Sequence, residues 1–81
     1  MANKLDYDKW RNWRWESESR YYLLSLTQNL FGQWVAMQRW GSRNTRMHGA
    51  KESYYNNIDE SVAIFAEIHK KRVSRGYALI N

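Results

Sequence analysis

Two short runs of aromatic and aliphatic residues, separated by a polar connection, constrain the fold of this chain more than any other feature. The runs are residues 20–27 and 33–40, and the five-residue connection between them, 28–32, ends in a glycine. A connection of this length and composition is typical of a β-hairpin with a bulged or longer loop. The sequence therefore predicts a hairpin over residues 20–40.

Side chains alternate between the two faces of a β-strand, and this alternation sorts the residues of each run. In the first run one face carries Tyr22, Leu24 and Leu26, which we expect to face the core. In the second run neither face is purely apolar, so the sequence leaves open which of its faces is buried. One of these faces carries Trp34, Ala36, Gln38 and Trp40, and the other carries Val35, Met37 and Arg39.

The segments around the hairpin give weaker signals. Residues 8–15 fit a short helical turn or an extended arm, and we favour an irregular segment that packs one or two tryptophans over the sheet. Residues 41–49 have a glycine at each end and polar residues between, which predicts a loop. Residues 50–56 are a candidate third strand, and residues 77–80 a short closing strand.

A helix is predicted between Asn57 and Gly76. Asn57 as N-cap with Glu60 three residues later resembles a capping box, and Asp59 and Glu60 complement the positive helix start. Gly76 supplies the stop. Apolar residues at spacings of three and four form the stripe expected to face the sheet. This stripe consists of Ile58, Val62, Phe65, Ala66, His69 and Val73.

Together these elements predict a small α+β fold, with one helix packed on an antiparallel sheet of about four to five strands. The 81 residues suffice for one domain, which we place at residues 13–81 after a flexible lead-in of residues 1–12. The absence of cysteine excludes disulfides and thiolate chemistry and favours a reducing, cytoplasmic location. No apolar run has the length of a membrane span, and the N-terminus lacks the apolar centre of a signal peptide.

Positive charge is concentrated in two segments that contain no acidic residue. Residues 39–51 and 70–75 together carry +8, whereas the rest of the chain carries −3, which gives the net charge of +5. A basic patch on a mildly acidic body is typical of a polyanion binder. The other interpretation is a solvated surface with cations near a helix C-terminus. The cations are Arg39, Arg43, Arg46 and Lys51 in the first segment, and Lys70, Lys71, Arg72 and Arg75 in the second.

Aromatic residues are also in excess. Five tryptophans, six tyrosines and two phenylalanines are more than a core of this size can easily bury. Some rings are therefore expected at the surface, where rings beside arginine and lysine suit stacking on bases or sugars. The alternative is that the rings pack on a small sheet and expose only their polar edges.

Several short motifs follow one another along the chain. They are RYYLLSL, LFGQW, RWG, a loop containing glycine and arginine, NIDESVAIF and KKRVSRGY. Their order resembles that of the WGR domain, in particular its small stand-alone bacterial form, and the resemblance covers roughly residues 13–80. It implies an antiparallel sheet with a helix packed on it, in agreement with the element order above.

The resemblance also implies contact with DNA. In the DNA-dependent poly(ADP-ribose) polymerases the WGR module lies at DNA breaks, where the motif tryptophan packs against the terminal nucleotide and neighbouring groups hold phosphate. By position this implies Trp40 as the stacking residue and Gly41 as the small residue that permits close approach. Ser42 stands where the family has its arginine, so that contribution is absent or comes from Arg43 or Arg39. No ADP-ribosyl transfer is implied, because 81 residues cannot hold both this module and a transferase.

We therefore expect a non-enzymatic nucleic-acid-binding module whose partner is DNA, with little sequence preference because nothing resembles a major-groove recognition helix. The alternative is a protein-interaction or homodimerisation module that uses exposed rings and a sheet edge. The residues predicted to bind nucleic acid are Trp40, Gly41, Arg39, Arg43, Arg46, Lys51, Lys70, Lys71, Arg72 and Arg75.

Catalytic, cofactor and metal sites are not expected. His48 and His69 lie in different elements without an acid or nucleophile arranged beside them, and His69 is better explained as a core or edge residue than as a ligand. Ser42 and Ser53 lack a base at motif spacing, and no glycine-rich phosphate loop follows a strand. The sequence therefore favours binding over catalysis.

Overall fold

The computed structural model describes residues 5–80, which form five strands and one α-helix after a short 3-10 turn. The strands form one sheet in the order β4-β3-β2-β1-β5, and every neighbouring pair is antiparallel. The helix packs on one face of this sheet, which confirms the predicted α+β fold. The elements are the turn Tyr7–Lys9, β1 Arg11–Glu16, β2 Arg20–Gln28, β3 Trp34–Ser42, β4 His48–Tyr55, α1 Ile58–Ser74 and β5 Ala78–Leu79.

Strands β2 and β3 form the predicted hairpin, which lies in the middle of the sheet between β4 and β1. Its register runs from Gln28 opposite Trp34 to Arg20 opposite Ser42. In the connection, Asn29 Oδ1 accepts hydrogen bonds from the backbone N–H groups of Phe31 and Gln33, at 2.9 and 3.1 Å. Such a side-chain bond to the following backbone stabilises a tight turn.

The alternation in the hairpin separates a helix-facing inner face from an outer face. Tyr22, Leu24 and Leu26 are buried in the core, as predicted. The structure also shows which face of β3 is buried, a point that the sequence left open. Trp34, Ala36 and Gln38 are buried on the inner face, Trp40 is partly exposed on the same face, and Val35, Met37 and Arg39 lie on the outer face.

The irregular conformation favoured for residues 8–15 is wrong for its second half, because residues 11–16 form β1. The strand is extended so that Trp13 and Trp15 share one face, as in the extended alternative. It pairs with β2, placing Trp13 opposite Leu24 and Trp15 opposite Tyr22. Both tryptophan rings contact Phe65 of α1, with ring centroids 4.6 and 5.8 Å apart. Pairing with β2 and burial under the helix therefore decide the conformation.

The division into a lead-in of residues 1–12 and a domain of residues 13–81 stays a prediction. Residues 1–4 and 81 lie outside the described residues. Of the remaining lead-in, the backbone N–H of Asp6 and the indole N–H of Trp10 both donate to Gln28 Oε1, at 2.6 and 3.2 Å. These bonds attach the segment before β1 to the end of β2.

Both ends of α1 carry the predicted capping residues, Asn57 at the start and Gly76 just past the end. Asn57 Oδ1 accepts a hydrogen bond from the Glu60 backbone N–H at 3.0 Å, which is an N-cap bond. At the other end Gly76 has a φ of 88°, and the N–H of Tyr77 donates to the carbonyl of Arg72 at 2.9 Å. This arrangement is a Schellman motif, in which a left-handed glycine turns the chain away from the helix.

The helix face predicted to contact the sheet is wrong in part. Of the predicted stripe, Val62 and Val73 are 47% and 51% exposed, whereas Ser61 and Ile68 are buried. The buried serine satisfies its hydroxyl by donating to the carbonyl of Ile58 at 2.8 Å. A hydrophobicity pattern excludes serine from a core face, which is why it omitted Ser61, whereas Phe65 and His69 of the predicted stripe do contact Trp15.

Among residues 5–80, no helix has the length and apolar character needed to cross a membrane.

His69 supports the most deeply buried tryptophan. The Trp15 side chain is fully buried, and its Nε1–H donates to His69 Nδ1 at 3.1 Å. The His69 ring also stacks on Phe65, with centroids 5.5 Å apart and an interplanar angle of 9°. His69 therefore has the core-edge packing role expected for it.

We predict that His69→Ala lowers the free energy of unfolding by about 1–3 kcal/mol, because it leaves a buried indole N–H without an acceptor. The measurement is urea-induced unfolding followed by far-UV circular dichroism. Lys70→Ala is the matched control, since this neighbouring side chain is exposed, and its effect should stay within about 0.5 kcal/mol. Equal stability of the two variants would contradict the role of the Trp15–His69 bond.

Candidate nucleic-acid interface

A cavity of about 790 Å³ opens where one end of the central hairpin meets the C-terminal end of α1. Its wall combines aromatic rings with cations, and no aspartate or glutamate of the described residues lines it. The three large rings are those of Tyr22, Trp40 and Tyr77, beside the smaller imidazole of His48, and the four cations are Arg20, Lys51, Arg72 and Arg75. We refer to this space as the rim cavity.

Trp40 lies at the rim of the sheet with 37% of its surface exposed. Its indole stacks on Tyr22, with centroids 5.8 Å apart and an interplanar angle of 13°. Its neighbour on β4 is Gly49, where an added Cβ would lie 2.5 Å from two indole atoms. A glycine at this position therefore leaves the space that the indole occupies. Sequence reasoning placed Gly49 only at a loop boundary, because its role depends on the β3–β4 register.

Gly41 also allows a close approach, but of the chain to itself. An added Cβ at Gly41 would lie 2.7 Å from the backbone oxygen of Met47 and 2.8 Å from the Tyr21 hydroxyl. The next residue, Ser42, donates its backbone N–H to the same Met47 oxygen at 3.0 Å. Its hydroxyl accepts the N–H of Asn44 at 3.2 Å. Gly41 and Ser42 thus shape the loop that borders the rim cavity.

Arg72 is held by aromatic rings instead of by an acid. Its guanidinium carbon lies 4.4 Å from the centroid of Tyr22 and 5.2 Å from that of Tyr77. Cation–π contacts of this kind are favourable and strengthen when they are shielded from water. Among the described residues no carboxylate pairs with Arg72, and its buried Nε has no hydrogen-bond partner. Arg72 is therefore a positioned cation with unused hydrogen-bonding capacity.

Tyr22 connects this cation to a buried amide. Its hydroxyl donates to Gln38 Oε1 at 2.5 Å, and both residues are buried. Burial raises the pKa of the Tyr22 hydroxyl, the charge of Arg72 opposes that rise, and Tyr77 adds to it. The phenol is therefore neutral near pH 7.

The structure brings together five of the ten residues predicted to bind nucleic acid. Arg72 and Arg75 come from the last turn of α1 and its C-cap, whereas Lys51 projects from β4. The two basic segments of the sequence therefore meet in part at one cavity. The five residues are Trp40, Gly41, Lys51, Arg72 and Arg75.

The other five predicted residues lie elsewhere. Arg39 is on the outer face of the sheet, opposite Leu23. Arg43 donates to the backbone oxygen of Ser17 at 3.2 Å and lies 3.6 Å from Glu16 Oε1, so a carboxylate already offsets part of its charge. Arg46, Lys70 and Lys71 are exposed and do not line the rim cavity.

Lys71 lines a second cavity of about 320 Å³ between α1 and strands β3 and β4. Glu67 lines the same space, so this second cavity is not acid-free. The walls of the two cavities share Tyr22, Gln38, Lys51 and Arg72. Among the described residues no group of histidine, aspartate or glutamate is arranged to hold a metal ion.

Sequence reasoning missed several residues of the rim cavity. Arg20 lies outside both basic segments, and the register that sets it opposite Ser42 brings it to the cavity. Tyr22 and Gln38 have the periodicity of core residues, and they are buried while also facing the cavity. The alternation of the hairpin could have grouped Tyr22, Gln38 and Trp40 on one face, but not Tyr77, which arrives after the helix.

We predict that Gly49→Ala displaces the Trp40 indole, because the new methyl group would overlap it while the β3–β4 ladder fixes the backbone. The displacement should change the NMR signal of the Trp40 indole N–H and reduce stability by about 1–3 kcal/mol. Ala50→Ser is the control, since residue 50 is exposed on the outer face. An unchanged Trp40 signal in Gly49→Ala would rule out the close contact between residue 49 and the Trp40 indole.

We predict that the pKa of Tyr22 lies above the ordinary value of 10.0 and that Arg72→Gln raises it further, because Arg72 opposes the effect of burial. The unfolded chain then releases this proton at lower pH than the folded chain, so the contribution of Tyr22 to stability is lost as the pH rises above about 10. A pH titration of the Tyr22 ring signals by NMR measures this, with Lys70→Gln as the charge control. A lower pKa in Arg72→Gln would contradict the contact.

Comparison of the chain with models of known protein families, with curated proteins and with solved structures finds no match. The proposals for this protein therefore depend on its own residues and geometry, and its resemblance to the WGR domain stays a prediction.

Proposed function

We propose that this chain is a non-enzymatic nucleic-acid-binding module that contacts DNA, at ends or breaks, through the rim cavity. The observation that carries the proposal is the composition of that cavity, in which three rings and four cations line one acid-free surface. Four cations without an acid among the lining residues favour a polyanion over a neutral or cationic partner. The rings add surfaces on which bases or sugars can stack.

Each group has a distinct part in the proposed contact. Trp40, supported from behind by Tyr22, offers a partly exposed indole for stacking on a base or sugar at a strand end. Arg72 and Arg75 carry planar guanidinium groups, which match the geometry of phosphate oxygens. Arg20 and Lys51 extend the positive surface along β2 and β4. Because most of these contacts address the backbone, little sequence preference is expected.

The resemblance of the Trp40–Gly41 region to the WGR domain supports the same proposal. It implies a tryptophan at a DNA end, and Trp40 lies at an open and positively charged surface. Ser42 departs from the family pattern, and no neighbouring arginine of β3 replaces it at the cavity, since Arg39 lies on the outer face. In the proposed contact Arg72 and Arg20 supply guanidinium groups instead.

The non-enzymatic part of the proposal depends on the histidines. His69 accepts the Trp15 indole hydrogen bond, which commits its Nδ1 to the core. His48 is exposed, and its Nδ1 contacts the backbone oxygen of Arg46 at 2.8 Å. Neither histidine has an ion-pair partner among the described residues. This arrangement favours structural roles for both.

The proposal predicts salt-dependent binding to a labelled blunt DNA duplex. If all four lining cations contact phosphate, a plot of log affinity against log salt concentration should have a slope of about −3.6. Arg75→Gln should reduce the magnitude of that slope by about 0.9, and Trp40→Ala should cost about 1–3 kcal/mol of binding free energy. Fluorescence anisotropy at several salt concentrations measures both effects.

Lys70→Gln and Arg39→Gln are the matched controls for this experiment. Each removes one positive charge, but Lys70 lies outside the rim cavity and Arg39 lies on the outer face of the sheet. Both variants should bind DNA as the original chain does. If DNA affinity changes neither with salt concentration nor in Trp40→Ala, the proposal is wrong. If Arg75→Gln and Lys70→Gln lose the same amount of DNA affinity, the assignment of the contact to this cavity is wrong.

A protein-interaction or self-association role is the second candidate, and the edge of the sheet favours it. In the described part of the chain, β4 pairs with β3 on one side and with no strand on the other. Tyr54, near the end of β4, is 53% exposed. An unpaired strand edge can add a strand from another chain. Light scattering with and without DNA separates the candidates, since a salt-insensitive dimer that ignores DNA would favour self-association.

A further inference from the structure

We infer that the rim cavity binds a single free nucleotide, with its phosphate at Arg72 and its base at Trp40. This inference deepens the proposed function and rests on it for the choice of a nucleic-acid ligand, but it requires no duplex and no strand end. It concerns an isolated nucleoside monophosphate in solution. Three properties of the cavity support it: its size, its unpaired donors and the spacing of its two recognition groups.

The size of the rim cavity is that of a small-molecule site. Its volume of about 790 Å³ lies within the range of about 300–1,000 Å³ that is typical of pockets for small ligands and cofactors. Contact with a duplex backbone requires only a positively charged surface, because the phosphates lie on the outside of the duplex. A recess of this volume is therefore more than phosphate contact with a duplex requires.

The phosphate end of the site is defined by donors that lack partners. The guanidinium of Arg72 is held by two tyrosine rings. Its Nε is buried and out of reach of a ligand, whereas its terminal N–H groups bond no residue among 5–80 and remain available to one. Gln38 accepts the Tyr22 hydroxyl hydrogen bond through Oε1, and no described residue bonds its Nε2 group. Lys51 lies opposite Gln38 in the register and lines the same cavity. These donors suit one phosphate group, whose oxygens accept several hydrogen bonds at once.

The spacing of the two recognition groups fits one nucleotide. The Trp40 ring centroid and the Arg72 guanidinium carbon lie 5.8 and 4.4 Å from the same point, the centroid of Tyr22. Their separation therefore cannot exceed the sum of these two distances. A nucleotide carries its base and its phosphate on either side of one sugar, so a single unit can reach both groups. Tyr22 fixes this spacing because it is buried and hydrogen-bonded to Gln38.

The test is a titration of the full chain with adenosine 5′-monophosphate, followed by the NMR signal of the Trp40 indole N–H and by calorimetry. Adenosine, which lacks the phosphate, and inorganic phosphate, which lacks the base, are titrated in parallel. We expect the monophosphate to bind at least about tenfold more tightly than either, a difference of about 1.4 kcal/mol. Equal affinity for the monophosphate and inorganic phosphate would overturn the inference, because the base would then contribute nothing.

Variants locate the binding site. Arg72→Gln and Lys51→Gln should each weaken binding of the monophosphate at least about fivefold, whereas Lys70→Gln should leave it unchanged. Circular dichroism confirms that each variant is folded, and Lys51, which is exposed, provides the test if Arg72→Gln fails to fold. A saturating amount of the monophosphate should also displace a labelled blunt duplex. Binding that is indifferent to both substitutions, or that does not compete with the duplex, would overturn the assignment to this cavity.

The same set of titrations separates this inference from the proposed function. If the duplex binds and the monophosphate does not, the nucleotide site is wrong and the proposed DNA contact stands. If the monophosphate binds and the duplex does not, the proposed DNA contact is wrong and the nucleotide site stands. If neither binds, both are wrong.

Discussion

The ring of Tyr22 joins the hydrophobic core to the candidate site, and much of the structure depends on its position. In the core, the Tyr22 ring makes an edge-to-face contact with the Trp15 ring, and the two ring centroids are 6.1 Å apart. It also stacks against Trp40, lies beneath the guanidinium of Arg72 and donates its hydroxyl to Gln38. Because a packed core permits little movement, each of these neighbours has a defined position. The geometry of the rim cavity is therefore set in part by a ring that also belongs to the core cluster.

The rim cavity exists because the helix covers only part of the inner face of the sheet. The core cluster joins Ile68 of α1 to buried residues of three strands. These are Trp15 of β1, Tyr22, Leu24 and Leu26 of β2, and Ala36 of β3. Towards β4 and the ends of β2 and β3, the inner face carries larger polar and aromatic groups, and both cavities lie there. A fold of this size can bury only part of its rings, so Trp40 and Tyr77 remain at the boundary of the core. Some of the aromatic residues therefore pack in the core, and others form the accessible wall of the rim cavity.

Local signals predicted much of the fold. The hairpin followed from the alternation of side chains, and the helix start followed from Asn57, because both patterns involve residues close in sequence. The signals failed where a distant partner decides the structure. Residues 11–16 form a strand because they pair with β2. The buried face of α1 includes Ser61, whose hydroxyl donates a hydrogen bond to a backbone carbonyl of the same helix. In both places tertiary packing, and not the local sequence pattern, determines the conformation or the buried face.

The candidate site was harder to predict because closeness in sequence does not give closeness in space on a sheet. Arg39 and Trp40 are adjacent in the chain, yet the alternation of β3 sends them to opposite faces. Arg43 stands in a basic segment, but the fold brings it to Glu16. Conversely, Lys51 and Arg72 come from different elements and line one cavity. The charge pattern predicted a basic surface, and the register of the strands decides which cations line the rim cavity.

The distribution of acidic residues explains why the cations of the rim cavity remain available. Both ion pairs among the described residues use Glu16, which binds Arg14 and Arg43 on the side of the sheet away from the helix. In the rim cavity, by contrast, Arg72 is stabilised by the faces of Tyr22 and Tyr77. A carboxylate partner would occupy the hydrogen-bond donors of the guanidinium, whereas a ring attracts its charge and leaves most of those donors free. Positioning by rings therefore fixes the cation without neutralising it, and this is the physical condition that an anion-binding surface requires.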